Sequence, residues 1–209
     1  AAFFRAALWL LLRRIDDRGS DYPLVRLKYA LLLALAPLTV AGATVQTLYF
    51  LGLKPDVITS CCGSLFGADG RGAAAELAGL PPEPTLVAFY GTGAALLVLG
   101  LAFRRRLPLG PLFAAACALA FGVAIAATIA VISLYVYENP NHHCPFCLFK
   151  AGYDYLGYAL YAPLFVATAA GLGAGVIAPL GRIASLRAAV PGEVRRLTWL
   201  ASGGFGIVY

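Results

Sequence analysis

Four cysteines in two pairs are the residues best suited to chemistry. Cys61 and Cys62 are adjacent, and Cys144 and Cys147 enclose a proline and a phenylalanine in a Cys-x-x-Cys motif. Two cysteines at that spacing pair readily when the turn between them is helical, and a thiol at a helix N-terminus is more easily ionised. Two dithiols that meet in an oxidising compartment would form a relay, in which one pair exchanges electrons with a soluble partner and the other with an acceptor in the membrane.

His142 and His143 directly precede the second pair and support a rival prediction. Together with the four cysteines they supply six ligands of the kind that Zn²⁺ and Cu⁺ prefer. The group would be a structural metal site or the entry site of a soft-metal transporter for Zn, Cu or Hg. Against transport, no acidic or histidine residue lies inside an apolar run, where an ion path would need one.

A third prediction is non-catalytic and also uses the cysteines. A disulfide from Cys61 or Cys62 to Cys144 or Cys147 would lock two loops of a small apolar subunit in a larger membrane complex. Closing a loop of about 80 residues stabilises by about 4 kcal/mol in the chain-entropy model. The fifth cysteine, Cys117, stands alone among alanines and is expected to be an inert buried side chain.

The elements that position these residues are membrane-spanning helices. The chain is 61% hydrophobic and only 12% charged, which is too few charges for a soluble domain. Four apolar runs are long enough to cross the hydrocarbon core as helices. The sequence therefore predicts an all-α membrane bundle in one domain, with spans at about 29–53, 84–103, 110–137 and 155–180.

Basic residues predict the orientation of these spans. Thirteen of the 16 Lys and Arg residues fall in the N-terminal segment, the second connection and the C-terminal tail. The positive-inside rule then places both termini in the cytoplasm and turns loops 54–83 and 138–154, which carry the cysteine pairs, outward. The net charge of +6 is explained by this asymmetry and does not indicate nucleic-acid binding.

Smaller features complete the expected architecture. Residues 3–14 are predicted to form an amphipathic helix in the membrane interface, or to be part of a further span. Within the first outward loop, residues 73–78 favour a short helix that caps the bundle. Residues 197–209 would begin a fifth span, and the absence of methionine at position 1 indicates that the sequence is incomplete or processed. Close helix packing is expected at two pairs of small residues, Gly91 with Ala95 and Gly171 with Gly175.

Four spans, outward cysteines in the first loop and a Cys-Pro-aromatic-Cys motif before the fourth span resemble bacterial vitamin K epoxide reductase homologues. More loosely they are similar to the disulfide-bond-forming quinone reductases. The resemblance implies a bacterial inner-membrane oxidoreductase in which Cys144 and Cys147 exchange electrons with a quinone. It further implies that Cys61 and Cys62 shuttle electrons to or from a periplasmic thioredoxin-like protein.

Two groups of polar residues would then contact the quinone. Tyr155 and Tyr158 belong to a tyrosine cluster after the motif, and a tyrosine hydroxyl there would hydrogen-bond a quinone carbonyl. Gln46 belongs to a polar patch near the outer end of the first span. The alternative role of the tyrosines is an interfacial aromatic belt, and that of Gln46 is a hydrogen bond between helices.

Overall fold

The computed structural model describes residues 2–52, 73–105, 109–140 and 142–209, and in these residues the chain is helical with no strand. Cys61 and Cys62 lie outside the described residues. Seven α-helices account for most of the structure: α1 (Ala2–Asp16), α2 (Val25–Leu51), α3 (Ala73–Ala78), α4 (Pro82–Arg105), α5 (Gly110–Ala127), α6 (Leu156–Ile177) and α7 (Val190–Val208).

The helix of the third apolar run extends beyond the end of α5. It continues without a break through a π-helical turn, Thr128–Ile132, and a last α-helical turn, Ser133–Tyr137. Glu138 follows in the left-handed conformation, with φ of 51°, and ends the helix there. Short 3₁₀ segments join the remaining elements: Cys147–Phe149, Ala151–Tyr153, Ala178–Arg182 and Ala184–Leu186.

The four predicted spans are confirmed as helices. Those long and apolar enough to cross a membrane run Val25–Leu51, Pro82–Phe103, Gly110–Tyr137 and Leu156–Arg182, within about one turn of the predicted bounds. A helix can satisfy its backbone hydrogen bonds within the segment, as a hydrocarbon environment demands. The protein is therefore a multi-pass membrane protein, and the predicted all-α bundle is shown. Helix α3 forms where the short outer helix was expected and packs against the π-helical turn.

Small residues allow α5 and α6 to approach closely. A Cβ atom on Gly171 would lie 2.2 Å from the Cys117 sulfur, and one on Gly175 would lie 2.5 Å from the Ala114 Cβ. Cys117 is fully buried at this contact, as expected for an inert side chain. Van der Waals packing of this kind holds helices together in lipid, where no hydrophobic force acts between them.

The other predicted pair of small residues does not pack. Gly91 and Ala95 are exposed on α4, and a Cβ on Gly91 would meet nothing within 4 Å. The contact face of α4 instead carries Gly93 and Gly100. An added Cβ atom on Gly93 would collide with Tyr209, which follows α7, and one on Gly100 would collide with Ser202 of α7. The prediction was wrong because small residues occur on both faces of α4, and only the position of α7 decides which face is covered.

Helix α7 contains the apolar tail that was expected to begin a fifth span. It packs along α6 and α4, and the Tyr209 hydroxyl donates to the Ala120 carbonyl at 3.2 Å. Because Ala120 lies near the middle of its span, α7 reaches about halfway along the bundle.

Helix α1 packs lengthwise in the bundle, which differs from the expected helix in the plane of the interface. The Phe4 ring contacts Phe121 of α5 and Phe165 of α6, with centroids 5.1 and 5.6 Å apart, and both partners lie well inside their spans. A helix lying flat at the membrane surface would not reach them. Arg5 follows Phe4 in the sequence. It consequently lies deeper along the bundle, away from the end where the other basic residues collect.

That end, called here the arginine-rich end, is tied together by two buried acids. The Glu193 carboxylate of α7 is 2% exposed and lies 3.2–3.5 Å from the guanidinium groups of Arg14, Arg18 and Arg196. Asp16, fully buried, forms an ion pair with Lys28 and accepts the Leu24 backbone N–H at 2.8 Å. These contacts fix α1, α2 and α7 to one another. The opposite end of the bundle carries Cys144 and Cys147 and is called the dithiol end.

Candidate functional site

Residues 142–150, called here the dithiol loop, are part of the connection between the third span and α6. The chain turns at Pro145 and Phe146 and enters the 3₁₀ segment Cys147–Phe149, in which the Lys150 N–H donates to the Cys147 carbonyl at 3.0 Å. The motif thus sits in a tight turn before α6 and does not form the first turn of α6 itself.

His143 anchors this loop inside the bundle. Its Nδ1 lies 3.0 Å from the carbonyl oxygen of Ile129 in the π-helical turn, and its side chain is buried. A carbonyl only accepts, so Nδ1 carries the proton in this hydrogen bond. Because Ile129 lies about two turns before the end of the span, the loop folds back into the bundle.

The π-helical turn explains why a carbonyl is available there. In a π turn the backbone hydrogen bonds are displaced by one residue, and such turns occur frequently at functional sites. The Ile129 oxygen accepts from the Ser133 hydroxyl at 2.9 Å as well as from His143. The Ile129 oxygen therefore accepts one hydrogen bond from a side chain of its own helix and one from the dithiol loop.

Two tyrosines hold the backbone of the motif. The Tyr137 hydroxyl donates to the Cys144 carbonyl at 2.6 Å, and the Tyr161 hydroxyl, from α6, lies 3.4 Å from the Pro145 carbonyl. The first bond is short and the second is long for an O–H donor. The motif is consequently attached to the third span on one side and to α6 on the other.

This anchoring buries both thiols. Cys144 is 0% exposed and Cys147 is 3% exposed. The dithiol is therefore buried where the connection between the third span and α6 folds back against these helices, and it lies in the connection in which the sequence placed it. Phe146, between the two cysteines, is 63% exposed and marks the surface of the loop.

Gly157 allows the loop to lie on α6. A Cβ atom there would come within 3.0 Å of the Phe149 ring and 3.1 Å of the Leu148 backbone. The Phe149 ring in turn stacks on Tyr161, with centroids 5.3 Å apart, and meets the edge of Tyr158 at 4.9 Å. A side chain at this second residue of α6 would therefore force the Phe149 ring or the Leu148 backbone to shift by a few tenths of an ångström.

The residues expected to contact a quinone are not brought together. Tyr155 and Tyr158 lie at the start of α6 beside the dithiol loop, and both side chains are more than half exposed. Gln46 is exposed on α2, where residues 36–52 are covered by no described residue. Gln46 is separated from the two tyrosines because α2 packs mainly against α1, near the arginine-rich end.

The expected metal ligands do not form a site within the described part of the chain. No three His, Cys, Asp or Glu side chains there converge as a metal ion would require. His142 packs against the Tyr137 ring, with centroids 4.4 Å apart, while His143 Nδ1 is hydrogen-bonded to the Ile129 carbonyl. The prediction that Cys61 and Cys62 lie beside Cys144 and Cys147 falls outside the described residues.

Three contributors to the site were missed by sequence reasoning. The Ile129 carbonyl and Ser133 depend on the π-helical turn, for which the local sequence gives no distinct signal. Gly157 is one of many glycines in the spans. Tyr137 precedes the motif and Tyr161 follows it, and this proximity in the sequence is the signal that could have identified them.

Comparison of the chain with protein-family models, with curated proteins and with solved structures finds no match. The function must therefore be argued from the site itself.

Proposed function

We propose that this protein is a membrane thiol–disulfide oxidoreductase that passes electrons between thiols outside the membrane and a quinone within it. One observation carries the proposal: Cys144 and Cys147 are buried against the membrane-spanning helices, in a loop that His143 and Tyr137 hold to the third span. A dithiol that served only soluble partners would gain nothing from being buried against membrane helices.

The dithiol supplies a two-electron couple. When Cys144 and Cys147 form a disulfide, the S–S bond is made, two S–H bonds are broken, and two electrons and two protons leave the pair. The reverse reaction begins when an external thiolate attacks one sulfur of the disulfide and forms a mixed disulfide. The tight turn at Pro145 keeps the two cysteines near each other during both reactions.

A quinone accepts two electrons and two protons and dissolves in the bilayer, so its chemistry matches that of the pair. Tyr155 and Tyr158 fit its headgroup, because their rings are exposed beside the dithiol loop and no described residue hydrogen-bonds their hydroxyl groups. Gln46 does not fit this role, since it is exposed on the unpacked half of α2. The two tyrosines would orient the headgroup near Cys147.

The proposed orientation places the dithiol end outward. The arginine-rich end collects Arg14, Arg18, Arg182, Arg187 and Arg196, which the positive-inside rule assigns to the cytoplasm. In a bacterium the dithiol loop then faces the periplasmic side of the inner membrane. Cys61 and Cys62, or a thioredoxin-like protein, would exchange disulfides with the buried pair, in keeping with the resemblance to vitamin K epoxide reductase homologues.

The proposal is tested by quinone reduction in proteoliposomes that contain the purified protein, a dithiol reductant and a ubiquinone or menaquinone analogue. We expect quinol formation that is lost in Cys144→Ser and in Cys147→Ser. The matched control is Cys117→Ala, which removes a thiol buried between α5 and α6 away from the dithiol loop.

Loss of activity in the control as well would mean that the loop cysteines have no special role. Equal quinol formation by wild type and by both serine variants would contradict the proposal. Metal analysis of the same preparation addresses the rival function: stoichiometric zinc or copper that is lost in Cys147→Ser would favour a metal site instead.

A further inference from the structure

A cavity of about 480 Å³ opens at the arginine-rich end, remote from the dithiol loop. It lies where the start of α5, the 3₁₀ segment Ala178–Arg182 and the start of α7 meet. Its wall is mostly apolar and includes Pro111, Pro179 and Pro191, and its two charged residues are Arg182 and Arg187. Nothing in the proposed redox function uses this cavity.

The charge of the cavity is positive and uncompensated. Arg182 and Arg187 form no ion pair within the described ranges, and no acidic residue lines the cavity. The nearest acid in sequence, Glu193, is already shared by three other arginines. Two guanidinium groups without a carboxylate partner suit a phosphate, which each can bind with two parallel hydrogen bonds.

The backbone around the cavity has the same preference. Pro111 is the second residue of α5 and Pro191 the second residue of α7, and neither helix has a side-chain hydrogen bond at its N-cap. The positive ends of two helix dipoles therefore border the cavity and add to the attraction of the arginines for an anion.

We propose that this cavity binds the headgroup phosphate of an anionic phospholipid. A free phosphate would need only the donors, whereas the apolar wall adds a surface for the glycerol and the first methylenes of an acyl chain. Arg182 also ends the fourth candidate span, so the cavity lies at the depth of lipid headgroups. Basic pockets between spans at the cytoplasmic surface are sites of this kind.

The test measures lipid retention by native mass spectrometry of the full chain in detergent. Protein is titrated with phosphatidylglycerol, with zwitterionic phosphatidylcholine, and with inorganic phosphate as a competitor. We expect one phosphatidylglycerol to be retained, with its apparent affinity reduced about 10-fold or more in the double variant Arg182→Gln, Arg187→Gln. The control is Arg195→Gln, an exposed arginine of α7 outside the cavity, which should bind as wild type does.

Both substituted arginines are exposed, so the double variant should fold, and its melting temperature without lipid checks this. Arg182→Lys, Arg187→Lys provides a second variant that keeps the charge but loses the paired hydrogen bonds, and we expect an intermediate affinity. Equal retention by wild type and the double glutamine variant would overturn the proposal, as would equal retention of phosphatidylcholine. Displacement of the lipid by millimolar inorganic phosphate would also overturn it, because the ligand would then be free phosphate.

Discussion

The Tyr137 hydroxyl can be removed from the dithiol loop without changing the ring that supports it. In Tyr137→Phe the hydrogen bond to the Cys144 carbonyl, 2.6 Å long in the structure, is lost, while the ring contacts with His142 and Tyr153 remain. The substitution therefore isolates the attachment of the motif to the third span. We expect the loop to leave the bundle more often and to expose its thiols.

The size of the effect follows from the bond and its surroundings. The Cys144 residue is fully buried, so its carbonyl is left without a donor or depends on a water molecule. An unsatisfied buried acceptor costs about 1–3 kcal/mol, and a replacement by water would recover part of this. We take about 1–2 kcal/mol, which raises the population of the open loop by about 5–30-fold.

Alkylation by a small maleimide measures this population when closing is faster than labelling. We expect the labelling rates of Cys144 and Cys147, followed by peptide mass spectrometry, to rise about 5–30-fold in Tyr137→Phe. The control is Tyr135→Phe, whose ring is 79% exposed and whose rate should equal that of wild type. Unchanged labelling in Tyr137→Phe would refute the account of how the motif is held.

Two further predictions concern the bundle, and both are measured as the free energy of unfolding in mixed micelles. Gly171→Val forces a side chain against Cys117 and should lower the free energy of unfolding by about 2–3 kcal/mol. In the control Gly91→Val the new side chain meets open space, and the free energy of unfolding should change by less than about 0.5 kcal/mol. Equal losses in the two variants would mean that α5 and α6 do not approach as described. Asp16→Asn keeps the acceptor for the Leu24 N–H but breaks a buried ion pair, at a cost of about 3 kcal/mol. The exposed Asp17→Asn should cost less than about 0.5 kcal/mol, and the reverse order would contradict the assigned burial.

The spans could be predicted because a membrane imposes a simple rule on sequence. A helix must remain apolar for about 20 residues to cross the hydrocarbon core, and that requirement is visible without any tertiary information. The contact between Gly171 and Gly175 and α5 was predictable for a related reason, since two small residues one turn apart leave room for a neighbour. The same reasoning failed for Gly91 and Ala95, because nothing in the sequence says where α7 packs.

The arrangement of the site was predictable only in part. The Cys-x-x-Cys motif and its tyrosine neighbours are contiguous or nearly so, and their proximity follows from the chain itself. The depth of the motif depends on His143 reaching Ile129 across a π-helical turn, which is a tertiary contact between unremarkable residue types. Gln46 was assigned to the site from its position along α2, but only the packing of α2 against α1 determines which side chains it can meet.

A single-turnover reaction measures the transfer of electrons from the dithiol to the quinone. Reduced protein in liposomes is mixed with excess oxidised quinone analogue and quenched with acid and maleimide. Quinol absorbance and the Cys144–Cys147 cross-linked peptide are then quantified together. We expect one quinol and one cross-linked peptide for each protein molecule, because the pair yields two electrons and two protons. If maleimide still labels both thiols at every time after mixing with quinone, the dithiol does not reduce the quinone.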